Sequence, residues 1–311
     1  MRVFVAGATG YIGSAVVREL LGAGHHVVGL ARSESAADVL TRSGAAVHRG
    51  DITDVDSLRA GAAAADGVVY AANQHIAETT DPAARAKAEL AAVEAIGAEL
   101  AGTDKSFVVT SGVLGRTPGQ LLTEETPTVP TVVTAPRLQV ELSVLALSEH
   151  GVRSSSVRLA PTVHGRGDAR GFIPALIGVA RTTGVSAFVG DGSNRWPSVH
   201  RRDAATLYRL ALESASAGTR LHAVAEEGVP FGEVARAIGR RLQVPAVSLT
   251  SDEASRHFAG FLAPFVSLDN PASSALTRQR TGWKPTHAAL VPDIEEGHYF
   301  GELSEDFSAE L

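Results

Sequence analysis

Hydrophobic and polar positions along the first half of the chain follow a repeating order. Short apolar runs are separated by longer stretches in which apolar residues recur at helical spacing. This order is typical of βαβ units and predicts a doubly wound parallel α/β fold. The predicted strands are Arg2–Ala6, His26–Ala31, Ala46–Arg49, Gly67–Ala72, Phe107–Thr110 and Ser154–Leu159. The predicted helices between them are Ile12–Leu21, Ser35–Ser43, Ser57–Ala65, Pro82–Leu100 and Leu138–His150.

From Thr162 onward the alternation weakens, and glycine, proline and arginine become frequent in the connections. We interpret the short elements that remain as a smaller substrate-side lobe, interleaved with the last elements of a larger nucleotide-binding domain. The larger domain is predicted to span residues 1–165, with 191–224 returning to it, and the smaller lobe residues 166–190 and 225–311.

Composition and charge narrow the class of protein. The net charge of −6 comes without a basic run, which argues against nucleic acid as a partner because phosphate binding needs clustered Lys and Arg. No cysteine is present, so disulfides, thiolate metal sites and a cysteine nucleophile are excluded, and no HExxH spacing predicts a metal site. No leader-like segment or membrane-length apolar run is found, so we expect a cytoplasmic protein without a membrane partner.

The strongest single signal is the glycine spacing that follows the first predicted strand. Gly7, Gly10 and Gly13 form a GxxGxxG turn at the start of a helix. In a Rossmann fold the first glycine permits the tight turn, the second lets the backbone approach a pyrophosphate, and the third allows close packing of helix on strand. Helix N-terminal amides then face the phosphates. The turn therefore predicts a dinucleotide site.

The end of the second strand indicates which nicotinamide cofactor fits. An acidic residue there would bind the ribose hydroxyls and repel a 2′-phosphate, but the sequence has Ala31 followed by Arg32 and Ser33. A guanidinium and a hydroxyl suit a phosphate. NADP is favoured, and NAD stays open because Arg32 also fits the pattern of a solvated loop residue.

These segments together resemble the short-chain dehydrogenase/reductase superfamily, in its extended NAD-dependent epimerase/dehydratase type. Besides GATGYIG, the similar segments are GDITD at residues 50–54, YAA at 70–72, VTSG at 109–112, VRLAPTVHG at 157–165, VHRRDAA at 199–205 and GWKPTHAAL at 282–290. The resemblance implies further cofactor contacts beyond the turn and Arg32 and Ser33. The predicted cofactor-binding residues are Gly7, Thr9, Gly10, Tyr11, Ile12, Gly13, Arg32, Ser33, Asp51, Ile52, Ala71, Ala72, Asn73, Arg137 and Pro161.

The catalytic pair of that family is missing. Its tyrosine exchanges a proton, and a lysine four residues later lowers the pKa of the tyrosine and holds the ribose; the matching positions here are Val133 and Arg137. Arginine can hold a ribose or a substrate carboxylate, but it cannot act as a base near neutral pH.

Four residues are candidates for the chemistry that remains. Ser111, or its neighbour Thr110, matches the catalytic serine strand, Arg137 is a binding group, and His164 and His200 are candidate proton donors because imidazole titrates near neutral pH.

We therefore expect NADP-dependent reduction, or the reverse oxidation, of a small organic carbonyl or alcohol, with a histidine or water in place of tyrosine. A dinucleotide-binding sensor without turnover is the alternative, and a nucleotide-sugar epimerase or dehydratase the third. The helix after Arg137 resembles one that family members use for dimer contacts, so a homodimer is an open expectation.

Overall fold

The first part of the chain alternates strand and helix. The computed structural model describes residues 1–72, 81–113, 120–127, 135–258 and 260–301. Its first strands are β1 (Arg2–Ala6), β2 (His26–Ala31), β3 (Ala46–Arg49), β4 (Gly67–Tyr70), β5 (Ser106–Gly112) and β6 (Arg153–Leu159). The helices between them are α1 (Tyr11–Gly22), α2 (Glu34–Arg42), α3 (Val55–Ala63), α4 (Pro82–Leu100) and α5 (Ala135–Ala146), and a 3₁₀ turn (Leu147–His150) continues α5.

The second part has shorter elements. Its strands are β7 (Thr162–His164), β8 (Ser186–Val189), β9 (Arg195–His200), β10 (Thr219–Ala223), β11 (Glu226–Pro230) and β12 (Ala246–Leu249). Its helices are α6 (Phe172–Thr183), α7 (Arg201–Ser214), α8 (Phe231–Leu242), α9 (Ser251–His257), α10 (Ala275–Thr281) and α11 (Leu290–Glu295), with a 3₁₀ turn at Gly260–Leu262.

The central sheet has seven parallel strands in the order β10-β6-β5-β4-β1-β2-β3. The order reverses between β1 and β4, which places the crevice of a doubly wound sheet at their carboxyl ends. The predicted doubly wound α/β fold with a smaller C-terminal lobe is confirmed. A small sheet of β11, β9 and β7 and a β8–β12 pair make up the remaining strands in the described residues.

Local chemistry sets the helix boundaries. α3 begins two residues before its predicted start because the Asp54 carboxylate accepts the Ser57 N–H at 3.0 Å and caps the helix. α4 begins at Pro82, as predicted, and the Asp81 carboxylate accepts the N–H groups of Ala83 and Ala84.

Hydrophobic residues cluster in three places. Two clusters cover the two faces of the central sheet, one under α1 and α7 and the other under α3, α4 and α5. The third lies under α6 and α8 and includes Trp196, Phe231 and Phe258. The division of the chain into residues 1–165 with 191–224, and 166–190 with 225–311, stays a prediction. No helix in the described ranges is long and apolar enough to cross a membrane.

Candidate functional site

The turn between β1 and α1 is a cradle that only glycine can form. Gly7 has φ +84°, and a Cβ on it would lie 2.5 Å from the backbone nitrogen of Ala72 at the end of β4. A Cβ on Gly13 would overlap the carbonyl oxygen of Gly7. The structure thus brings the predicted cofactor residues Gly7, Gly13, Ala71 and Ala72 together at the switch point of the sheet.

The N-terminus of α1 opens into this cradle. Gly10 is the N-cap residue, has no side chain to cap the helix, and is exposed together with Thr9. Uncapped N–H groups and the positive end of the helix dipole attract phosphate. The cradle and its donors fit the pyrophosphate of a dinucleotide, with Tyr11 and Ile12 half-buried in the first turn of the helix.

Three of the predicted cofactor-binding residues lie where β2 and β3 end. Arg32 and Ser33 are exposed directly after β2, and the Ser33 hydroxyl accepts the Ala36 N–H at 3.2 Å, which caps α2. Asp51 is half-buried, and the N–H and hydroxyl of Thr53 together with the Arg32 charge hold the pKa of its carboxyl below its usual value. The positive charge of Arg32 therefore acts on the Asp51 carboxyl across the ends of β2 and β3.

The remaining predicted cofactor residues are placed as follows. Ile52 is half-buried beside Asp51, and Pro161 is half-buried between β6 and β7. Asn73 lies outside the described residues, as does Val133, the position that matches the family's tyrosine.

The carboxyl end of β5 carries two hydroxyls with different surroundings. The Thr110 hydroxyl donates to the carbonyl of Tyr70 at 3.0 Å and shares a 2.6 Å hydrogen bond with the Tyr208 hydroxyl, so it ties β5 to β4 and α7. No partner within the described residues hydrogen-bonds the hydroxyl of Ser111, whose side chain lies on the other face of the strand. Ser111, rather than Thr110, is the hydroxyl left for a ligand.

Arg137 lies beside this strand end and is held by Glu89, an acid that the sequence pattern does not predict at the site. Its Nη1 donates to Glu89 Oε1 at 2.6 Å and to the Thr110 carbonyl at 3.2 Å. Burial raises the pKa of the Glu89 carboxyl, and the Arg137 and Arg85 charges oppose that rise. Glu89 faces inward from α4, and no local sequence signal separates it from the exposed glutamates of the same helix.

None of the four tyrosines occupies the position of the family's acid. Tyr70 and Tyr208 are enclosed in the core, and Tyr299 is nearly so. The Tyr11 hydroxyl is bonded to the carbonyl of Gly165 at 3.0 Å. Burial raises the pKa of all four phenols, which disfavours each of them as a base.

The two candidate histidines lie against each other. His164 is fully enclosed and its Nδ1 is 2.9 Å from Asp293 Oδ2. Its ring meets that of His200 edge to face at 5.4 Å, and His200 stacks on His287 at 4.7 Å. The catalytic roles of His164 and His200 stay predictions, and the full burial of His164 weighs against direct contact with a substrate.

This histidine cluster adjoins the cofactor turn through Gly165. The N–H of Gly165 donates to the Tyr299 hydroxyl at 3.0 Å, while its carbonyl accepts from Tyr11 in the glycine-rich segment. Nearby, burial raises the pKa of Asp168 to about 6. Arg201 stacks over the Tyr11 ring at 4.7 Å and donates to Ser14 on α1. The cluster thus connects the C-terminal segment to the start of α1.

His200, Asp203 and His287 bring ligand-type atoms within 4.8 Å of one another. The two imidazoles are stacked 8° from parallel, so their lone pairs point side by side rather than toward one ion. The carboxylate of Asp203 already accepts from the N–H groups of Thr286 and His287 and from the His287 ring. This geometry suits a hydrogen-bonded junction.

Comparisons with known proteins identify the family of the chain. The model of the NAD dependent epimerase/dehydratase family matches residues 3–224. An uncharacterized protein of Schizosaccharomyces pombe is 49% identical over 96% of this chain and 100% of its own length, and one of Saccharomyces cerevisiae is 39% identical over 96% and 99%. Among solved structures, a dTDP-glucose 4,6-dehydratase from Streptomyces venezuelae with NAD bound superposes with a TM-score of 0.76 at 19% identity, covering 96% of each chain.

The family match extends from β1 through β10 and includes the glycine cradle, the strand end at Ser111 and Arg137. The relatives at 49% and 39% identity cover nearly the whole chain. The family consists of enzymes that work with a nicotinamide cofactor. The chain belongs to the NAD dependent epimerase/dehydratase family.

Proposed function

We propose that this chain is an NADP(H)-dependent oxidoreductase that reduces a small organic carbonyl, or oxidises the corresponding alcohol. The observation that carries the proposal is the pair of donors at the end of β5. Ser111 lies at the carboxyl end of β5, beside the Thr110 carbonyl that Arg137 binds, and β5 pairs with β4, whose following residues Ala71 and Ala72 lie against Gly7 of the glycine cradle.

The preference for NADP over NAD is part of the proposal and rests on the end of β2. Ala31 leaves no carboxylate there, while Arg32 is exposed and its charge acts on Asp51. A guanidinium at this place stabilises a 2′-phosphate, which an acidic residue would repel.

The chain's residues supply binding and charge stabilisation. When bound, a nicotinamide supplies or accepts the hydride. Ser111 and Arg137 donate hydrogen bonds to the substrate oxygen and stabilise the negative charge that develops on it. Water delivers the proton, because Val133 has none to give and the four tyrosines are held elsewhere. His200 is the second candidate donor, but burial lowers its pKa to about 4, which makes it a poor proton carrier near neutral pH and favours water.

A consumption assay tests this proposal. NADPH oxidation is followed over a panel of aldehydes, ketones and nucleotide sugars, for the wild type and for Ser111→Ala. We expect turnover on at least one simple carbonyl and a loss of about tenfold to a hundredfold in kcat in the variant, with the Kd for NADPH unchanged. Ser106→Ala, at the other end of the same strand, is the matched control and leaves kcat unchanged.

Other outcomes separate the alternatives. NADPH binding without turnover on any compound would contradict the oxidoreductase and favour the sensor. Turnover confined to nucleotide sugars would favour an epimerase or dehydratase.

A further inference from the structure

Glu89 and Arg137 form a salt bridge whose net charge affects which substrates can bind beside it. The Glu89 side chain on α4 is 8% exposed and that of Arg137 on α5 is 24% exposed. Their atoms are 2.6 Å apart, and the Thr110 carbonyl shares the same Arg137 nitrogen. The pair is therefore anchored on one side by α4 and on the other by β5.

Only one nitrogen of the guanidinium is used in this anchoring. Within the described residues, no acceptor is hydrogen-bonded to Nε or Nη2 of Arg137. Guanidinium donors lie in one rigid plane, so fixing Nη1 also fixes the direction of the other N–H groups. The partly exposed side chain thus presents a preoriented donor edge next to Ser111.

The positive charge of the Arg137 guanidinium is already balanced by the Glu89 carboxylate. An arginine alone would attract a carboxylate, because a bidentate pair of opposite charges is strong. Glu89 neutralises Arg137, so a second carboxylate at the open edge would meet the negative charge of the first. Arg85, one turn earlier on α4, also acts on Glu89 but has an interaction of its own. A hydroxyl or carbonyl oxygen can accept from the same edge without that repulsion.

The geometry points to Glu89 as a positioning residue that determines specificity: by neutralising and orienting Arg137, it reserves the open donor edge for uncharged oxygen acceptors and excludes carboxylates. The acceptors are the cofactor ribose or a carbonyl substrate without an acid group. This inference rests on the proposed function and narrows its substrate class, since an arginine at this position is otherwise equally suited to a keto acid.

Benzoate and benzamide test the inference, because they have the same shape and differ in charge. Each is titrated by calorimetry into NADPH-saturated protein at pH 8. We expect wild-type protein to bind benzamide at least as tightly as benzoate. Glu89→Gln keeps the hydrogen bond and removes the charge. In this variant the affinity for benzoate relative to that for benzamide rises about tenfold.

Controls separate charge from disturbance of the fold. Glu94→Gln removes an exposed acid from the same helix and leaves the ratio unchanged. Glu89→Asp keeps the charge and gains no affinity for benzoate. If Glu89→Gln does not fold, the wild type alone still decides, because benzoate binding tenfold tighter than benzamide would overturn the inference.

A Glu89→Gln protein that binds NADPH but gains no affinity for benzoate would also overturn it. The binding measurements do not depend on turnover. A failure of the oxidoreductase proposal would appear instead as lack of NADPH binding or lack of NADPH consumption.

Discussion

The surroundings of His200 determine both its hydrogen bonding and its pKa. It is the last residue of β9 and caps α7, because its Nδ1 accepts the N–H of Arg202 at 3.2 Å. Only an unprotonated nitrogen can accept that bond. Burial, then the neighbouring charges of His164 and His287, lowers the pKa of His200 to about 4, and Asp293 and Asp203 oppose the shift. The folded protein therefore favours the neutral imidazole.

The resulting pH dependence has a defined sign. Below the ordinary histidine pKa of about 6.5, the unfolded chain binds a proton at His200. The folded chain binds that proton only when the pH falls to about 4. Stability contributed at this residue is thus present above pH 6.5 and lost as the pH falls toward 4.

His200→Asn keeps a capping oxygen and removes the titration. Urea unfolding at several pH values between 4 and 7 should show the wild type losing stability relative to this variant as the pH falls. Taking the difference removes the opposite contribution of Asp168, whose raised pKa favours the folded state at lower pH. Parallel curves for the two proteins would contradict the assignment.

At the scale of elements, the turn after β7 joins α1 to the C-terminal segment. Gly165 is held by Tyr11 at its carbonyl and by Tyr299 at its N–H, each at 3.0 Å. The N–H of Gly165 is buried, and a buried donor left without an acceptor costs more than the hydrogen bond itself contributes.

Removing each phenol oxygen tests this junction. Tyr299→Phe should lower the free energy of unfolding by about 1–3 kcal/mol, and Tyr11→Phe by about 0.5–1.5 kcal/mol. Tyr70→Phe is the control, because the buried Tyr70 hydroxyl has no hydrogen-bond partner within the described residues. Its removal should leave the free energy of unfolding unchanged. Urea denaturation measures all three, and an equal loss in Tyr70→Phe would refute the explanation.

Local patterns were enough to predict the strands and helices of the first half. β1, β2, β3 and α4 have their predicted bounds, because apolar runs, glycines and the Asp81–Pro82 cap are local features. The strand predicted to end at Ala72 ends at Tyr70, where parallel pairing with β1 and β5 stops. The strands after Thr162 pair with strands that are distant in sequence. The sequence pattern therefore predicts only short, separate segments in this part of the chain.

The cofactor cradle was predictable for the same reason, whereas the partners of the functional side chains were not. Glu89 lies 48 residues before Arg137, and Asp293 lies 129 residues after His164. Only the packing of α4 on α5, and of α11 near β9, brings these charges together. Motif spacing identifies Arg137 and His164 as departures from the pattern of the family. It does not predict that Glu89 and Asp293 contact them.

In the molecule as a whole, polar side chains join the C-terminal part to the Rossmann elements. Asp203, on α7, accepts from the N–H groups of Thr286 and His287. Asn270 donates to the Val113 carbonyl just past β5. These bonds hold the smaller lobe over the strand ends where the cofactor and substrate are proposed to lie.

Binding of NADP by the cradle at Gly7–Gly13 together with Arg32 is tested by a fluorescence titration of wild type and Arg32→Ala with NADPH and with NADH. We predict that the wild type binds NADPH more tightly, that Arg32→Ala weakens NADPH binding about tenfold or more, and that NADH binding changes little. Tighter binding of NADH by the wild type, or equal losses for both cofactors in the variant, would contradict the account.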